Sequence, residues 1–105
     1  MYTALTHIKT LDEPITNATI VSEEMERWLS QIDGFEGMLV LSRPGETLGL
    51  TFWRDREIAE RHRKSRMEFL GRMAAIAGVE VQETHDYEIT YASIGEQLGA
   101  WARES

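Results

Sequence analysis

Between Gly34 and Trp53 the hydrophobic positions break the alternation expected of a strand with one wet face. In GFEGMLVLSRPGETLGLTFW, Met38 and Val40 point one way while Leu39 and Leu41 point the other. Beyond Pro44-Gly45, Leu48, Leu50 and Phe52 share a face and Trp53 sits on the opposite one. An antiparallel ribbon open to water on one side should alternate cleanly between apolar and polar. This one does not, so each of its surfaces needs a cover. Pro44-Gly45 fits a type II turn, Pro fixing φ at the first central residue and Gly supplying positive φ at the second.

Elsewhere a single period dominates each segment. Tyr2 to Thr10 alternates loosely and is rich in Thr, aromatic and branched residues, which predicts an opening strand ended by Asp12-Glu13-Pro14. Val21, Met25, Trp28, Leu29 and Ile32 then recur at helical spacing. Ser22-Glu23-Glu24 can cap this helix, as can Asn17 or Thr19 earlier. Asp33-Gly34 stops it, Gly34 suiting the left-handed position after a helix end. From Arg56 to Ala77 the pattern is helical again, with Asp55 as N-cap and Glu57 in the first turn. Ile58, Ala59 and His62 form one stripe, and Phe69, Leu70, Met73, Ala74 and Ala77 another. The apolar-poor RHRKSR between them predicts a break, giving a short helix and then a longer one closed by Gly78. Val79 to Tyr91 reads as a long strand, with Val79, Val81, His85, Tyr87, Ile89 and Tyr91 on one face. Glu80, Gln82, Thr84, Asp86, Glu88 and Thr90 form the other. The tail from Gly95 to Ser105 is either a short helix carrying Leu98 and Trp101 or an arm over a neighbour.

The order is therefore β-α-β-β-α-β, a single α+β domain spanning 1–105. That is the ferredoxin-like arrangement, a four-stranded antiparallel sheet with both helices on one face. Two helices cannot cover both faces of four strands. The second apolar set on the central ribbon then meets solvent or a partner, and apolar patches above about a few hundred Å2 commonly mark interfaces. A homodimer is expected.

Composition narrows the partners. At 105 residues the chain can build one core without staples. It contains no Cys, which excludes disulfides, thiolate metal sites and cysteine nucleophiles. A formal charge of −7 argues against nucleic acid, whose phosphates need clustered Lys and Arg. The one basic cluster, Arg61, Arg63, Lys64 and Arg66, is interspersed with Glu57, Glu60 and Glu68 and reads as a solvated helix face. MYTALTHIKTLDE is not a signal peptide, and no apolar run approaches the ~20 residues of a membrane span. The expectation is a cytoplasmic protein with no nucleic-acid or membrane partner.

Two segments carry a likeness. Gly34-Phe35-Glu36-Gly37-Met38 is the helix-ending turn and second strand, and Thr51-Phe52-Trp53-Arg54-Asp55 is a strand ending in an aromatic before the second helix. In these the chain resembles the dimeric α/β-barrel proteins of the antibiotic biosynthesis monooxygenase type, and the likeness in element order covers nearly the whole chain. It implies homodimers in which two sheets pack face to face as a closed barrel with helices outside. The activities it implies range from cofactor-independent oxygenation of phenolic polycyclic substrates to haem degradation, and fold alone fixes neither. Haem-degrading members carry an Asn in the first strand and, in the second helical region, a Trp and then an iron-binding His. Tyr2 to Ile8 holds no Asn, His62 stands where that Trp is expected, and Arg72 lies near the ligand position. Haem degradation is set aside, and no cofactor is expected.

The resemblance implies a small apolar or aromatic molecule held between sheet and helices. In cofactor-free oxygenation a phenol or quinol must itself give an electron to dioxygen, and ionising it helps. A neutral imidazole can take that proton, which nominates His62, early in the second helix beside Trp53, as general base. Trp53, Phe69 and Met73 would line an apolar, water-poor cavity, while His85 and Tyr87, with Tyr91, would offer polar contacts from the last strand. Plainer readings stand beside these: ordinary core for the aromatics, a solvated helix position for His62, and tyrosines packed against a helix. His7 and His85 fall on strands that pair in this topology, but His62 lacks an i, i+4 partner, and no metal site is expected. A non-catalytic ligand-binding or stress-response module on the same scaffold, or a purely structural dimer, is the competing class.

Overall fold

Pairing of the first strand with both the third and the last sets the architecture. The computed structural model describes residues 1–10 and 14–104, and the side chains of all of these except 14–20. In chain order come β1 (Tyr2–Lys9), α1 (Pro14–Leu29), β2 (Phe35–Arg43), β3 (Glu46–Trp53), α2 (Arg56–Arg61), α3 (Arg63–Ala77), β4 (Glu80–Glu88) and α4 (Glu96–Glu104). The strands form one antiparallel sheet in the order β2-β3-β1-β4. This is the expected β-α-β-β-α-β domain, with the second helical segment divided at His62 and a further helix at the tail.

Local signals account for most boundaries. Asp55 caps α2, its carboxylate accepting from the Ile58 amide at 2.9 Å. α3 ends at Gly78 in the left-handed conformation, φ 72°. Gly45 has φ 82°, as the second central residue of a type II turn requires. α1 begins at Pro14, where a missing amide costs nothing, and so upstream of every cap anticipated for it. The strand stop at Asp12-Glu13 and the side chains of Asn17 and Thr19 lie outside the described residues. α1 also ends before Gly34: Gln31 and Ile32 donate back to Trp28 and Leu29, an i→i−3 tightening that returns Ile32 to the core.

One face of the sheet carries the helices. Tyr2, Val21, Met25, Leu29, Trp53, Ile58, Ala59 and Leu70 form the buried cluster between them. On the opposite face β3 presents Leu48, Leu50 and Phe52, opposite His7, Leu5 and Thr3 of β1. Leu39 and Leu41 of β2 lie beside Leu50 and Leu48. Leu39 and Leu41 of the ribbon and Tyr87 of β4 are 38%, 52% and 52% exposed, so the described residues leave part of this greasy face uncovered.

The last strand departs from strict alternation. His7 pairs with Glu83 but Ile8 with Val81, so Gln82 is the extra residue of a bulge. Val81 therefore faces the core while His85 and Tyr87 turn to the uncovered face, and Thr84 and Asp86 take the helix side. The single apolar face read along Val79–Tyr91 is corrected accordingly: the bulge reverses sides within the strand. A second bulge, at Glu36, puts both Phe35 and Met38 on the helix side.

Candidate functional site

Small residues on the inner side of the sheet leave room beneath α1. Thr6 of β1 and Thr47, Gly49 and Thr51 of β3 floor a cavity of about 60 Å3, walled by Val21 and Met25 of α1 and Leu70 of α3. Thr10 also lines it. The residue is buried, and among the described residues its hydroxyl has no hydrogen-bond partner. Other floor hydroxyls are engaged: Thr6 with Thr84 at 3.3 Å and Thr47 with Ser42 at 3.3 Å. Among the described residues the lining thus includes a buried hydroxyl without a partner in apolar surroundings. The alternation Thr47-Gly49-Thr51 was the available signal for it, lying between the leucines on which the sequence reading concentrated.

Trp53 organises a second locus at the start of the helical region. It is fully buried, meets Phe35 edge to face at 5.5 Å, and donates its indole N–H to the Thr51 hydroxyl at 2.9 Å. His62, at the junction of α2 and α3, stacks on it at 6.3 Å between centroids and 17° between planes. One turn later the Arg66 guanidinium lies 5.1 Å from the Trp53 ring and donates to the Ala59 carbonyl at 3.0 Å. Burial lowers the Arg66 pKa; Asp86 opposes that shift and Arg63 adds to it. Asp86 is ion-paired to Arg63, with its other oxygen buried and unpartnered among the described residues. Thr51 connects the two loci, flooring the cavity and holding the indole.

The six residues nominated from sequence therefore occupy three places. Trp53 and His62 are together. Phe69 stacks on Trp28 at 5.1 Å with Arg72 above it and, like Met73, packs half-buried against the core. His85 and Tyr87 lie on the uncovered face, where His85 contacts Glu83 at 3.1 Å and His7 contacts Glu46 at 3.1 Å. None of the six is among the described residues lining the cavity. Among the described residues no three potential metal ligands converge, and no helix is long and apolar enough to cross a membrane.

Strand order and helix placement together define a ferredoxin-like α+β domain. No family model and no curated protein matches the sequence. Solved structures do. A Deinococcus radiodurans protein provisionally named an antibiotic biosynthesis monooxygenase superposes with a TM-score of 0.68 at 18% identity, over 90% of this chain and 97% of that one. SnoaB, a cofactor-independent oxygenase from Streptomyces nogalater, gives 0.68 at 14% identity, over 87% and 94%. The de novo designed protein Foldit4 gives 0.59 at 14% identity, over 83% and 96%. At these identities the likeness shows a shared fold. That a designed protein shares it underlines that the scaffold carries no chemistry by itself.

Proposed function

We propose that the protein is a homodimer that binds a small, largely apolar or aromatic molecule between the sheet and α1. One observation carries this reading: an apolar-walled cavity lined by Thr10, whose buried hydroxyl has no partner among the described residues. Such a space suits a ligand with one hydroxyl or carbonyl. Its 60 Å3 falls below the roughly 300–1,000 Å3 usual for ligand sites, so a ring enters only as α1 shifts outward. Single-ring phenols and quinols demand the least of that movement.

The uncovered sheet face and the total surface support the dimer. A compact 12.0 kDa monomer exposes roughly 6,000 Å2. This chain exposes 7196 Å2. The excess of about 1,200 Å2 is larger than the roughly 800 Å2 each partner buries in a standard interface. The absence of Cys suits a cytoplasmic setting.

Cofactor-independent monooxygenation of a phenol or quinol is the specific chemical version. The fold shared with SnoaB supports it, as does an imidazole linked to the cavity floor through Trp53 and Thr51. A second reading, a non-catalytic ligand-binding module, draws support from His62 not lining the cavity. Titration with hydroquinone and small phenols, following melting temperature and oxygen consumption together, separates them. Saturable stabilisation of several degrees that weakens in Thr10→Val is the expected mark of binding. Oxygen uptake abolished in His62→Ala selects the enzyme; stabilisation without uptake selects the binding module. Neither response from any ring-sized phenol would overturn both.

A further inference from the structure

Gly49 sits in the middle of β3, a strand paired on both sides, where a residue without a side chain weakens the sheet. The usual structural reasons for a glycine within a strand do not hold here. Its φ is not positive, unlike that of Gly34, Gly37, Gly45 and Gly78. Register runs unbroken through its pairs with Thr6 of β1 and Val40 of β2, so it forms no bulge. A Cβ built on it would meet nothing within 4 Å among the described residues, so no neighbour presses on the position. The remaining use of glycine within a strand is to let a ligand approach the backbone closely. Thr6, Val40, Thr47 and Thr51 are its neighbours on the same sheet face, across the strands and along β3, and all four line the cavity with it. They make a dish with a bare peptide at its centre. Val40, 37% exposed on the edge strand β2, marks the open side.

We propose that residue 49 sets the size of ligand this cavity accepts, the ligand lying against the bare peptide of Gly49 in the space a side chain would take. The assignment rests on the ligand-binding reading above and adds to it the position that limits the ligand. The surrounding hydroxyls are already engaged: Thr6 with Thr84, Thr47 with Ser42, and Thr51 with the Trp53 indole. A buried water needs about 2–4 polar partners, so the centre of the dish suits the flat apolar face of a ring better than water. A side chain at position 49 therefore moves two quantities in opposite directions. It restores the strand and steadies the free protein, and it occupies the ligand's place. A glycine of purely structural use would give neither the gain nor the exclusion.

Hydroquinone and xenon serve as probes, with hydroquinone affinity read by calorimetry, xenon uptake by NMR under pressure, and the melting temperature taken without either. Gly49→Ala is expected to melt roughly 2–8 °C above the wild type while binding hydroquinone about 10–200-fold more weakly. Gly49→Val should lose xenon as well. Gly71→Ala is the control: it lies exposed on α3, where a Cβ likewise meets nothing within 4 Å among the described residues. It should gain stability and leave both probes unaffected. Hydroquinone bound equally by the wild type and Gly49→Ala overturns the assignment and keeps the binding reading. Xenon retained by Gly49→Val also overturns the assignment, and the binding reading then stands or falls on hydroquinone alone. Hydroquinone refused by every form, with xenon lost only from Gly49→Val, overturns the ring-sized reading and keeps residue 49 as the limit for a smaller ligand. A wild type that takes up neither probe removes both.

Discussion

Arg66 is a cation held in the helix layer. The residue is 4% exposed, its guanidinium lies against Trp53, and its Nε has no partner among the described residues. Removing a buried cation together with its desolvation cost is often neutral or stabilising, whereas removing the counter-charge strands what remains. Arg66→Met should therefore melt within about 1 kcal/mol of the wild type or above it. Asp86→Ala should lose about 2–3 kcal/mol, less than the roughly 3–5 kcal/mol of a fully buried pair, because Arg63 keeps access to water. Chemical denaturation of both variants checks the pair; a large loss in Arg66→Met would contradict it. Thr10→Val makes a sharper test of the cavity. Deleting an unpartnered buried hydroxyl should stabilise the free protein by about 1 kcal/mol while weakening the ligand. Gly34 shows the steric extreme. At φ 96° a Cβ there would sit 2.6 Å from Ile58 Cδ1, so Gly34→Ala should cost about 1–3 kcal/mol in the same measurement.

Elements differ in how much of themselves they declare. α2 has only six residues, so its cap weighs heavily; Asp55→Ala should destabilise by about 0.5–2 kcal/mol and lower amide protection between Arg56 and Arg61. That cap, the break at His62, the Gly78 terminator and the Pro44-Gly45 turn were legible because each depends on a residue and its immediate neighbours. The faces of β4 were not. Alternation from Val79 to Tyr91 looks unbroken, and the bulge at Gln82 exists only in the pairing with His7 and Ile8 of β1, which local sequence does not encode. The candidate site divides similarly. Trp53 and His62 are neighbours in space because α2 is short enough to return the chain over the end of β3. Phe69, Met73, His85 and Tyr87 were grouped by chemical type, and packing disperses them over the helix layer and the far side of the sheet.

For the whole molecule, the decisive quantity is what covers Leu5, Leu39, Leu41, Leu48, Leu50 and Phe52. A charge there leaves a monomer folded and splits a dimer. Leu50→Glu is expected to convert a sedimenting dimer to a monomer with its far-ultraviolet dichroism preserved. β3 carries this consequence further, since Thr47, Gly49 and Thr51 floor the cavity while Leu48, Leu50 and Phe52 serve the opposite surface. Its backbone is a partition one peptide thick. An insertion or deletion of a single residue along it would exchange hydroxyls for leucines on both sides together, because the side-chain period is two. Diversification of this scaffold is thus confined to point replacements in its central strand, and changes of length are tolerable only at its margins.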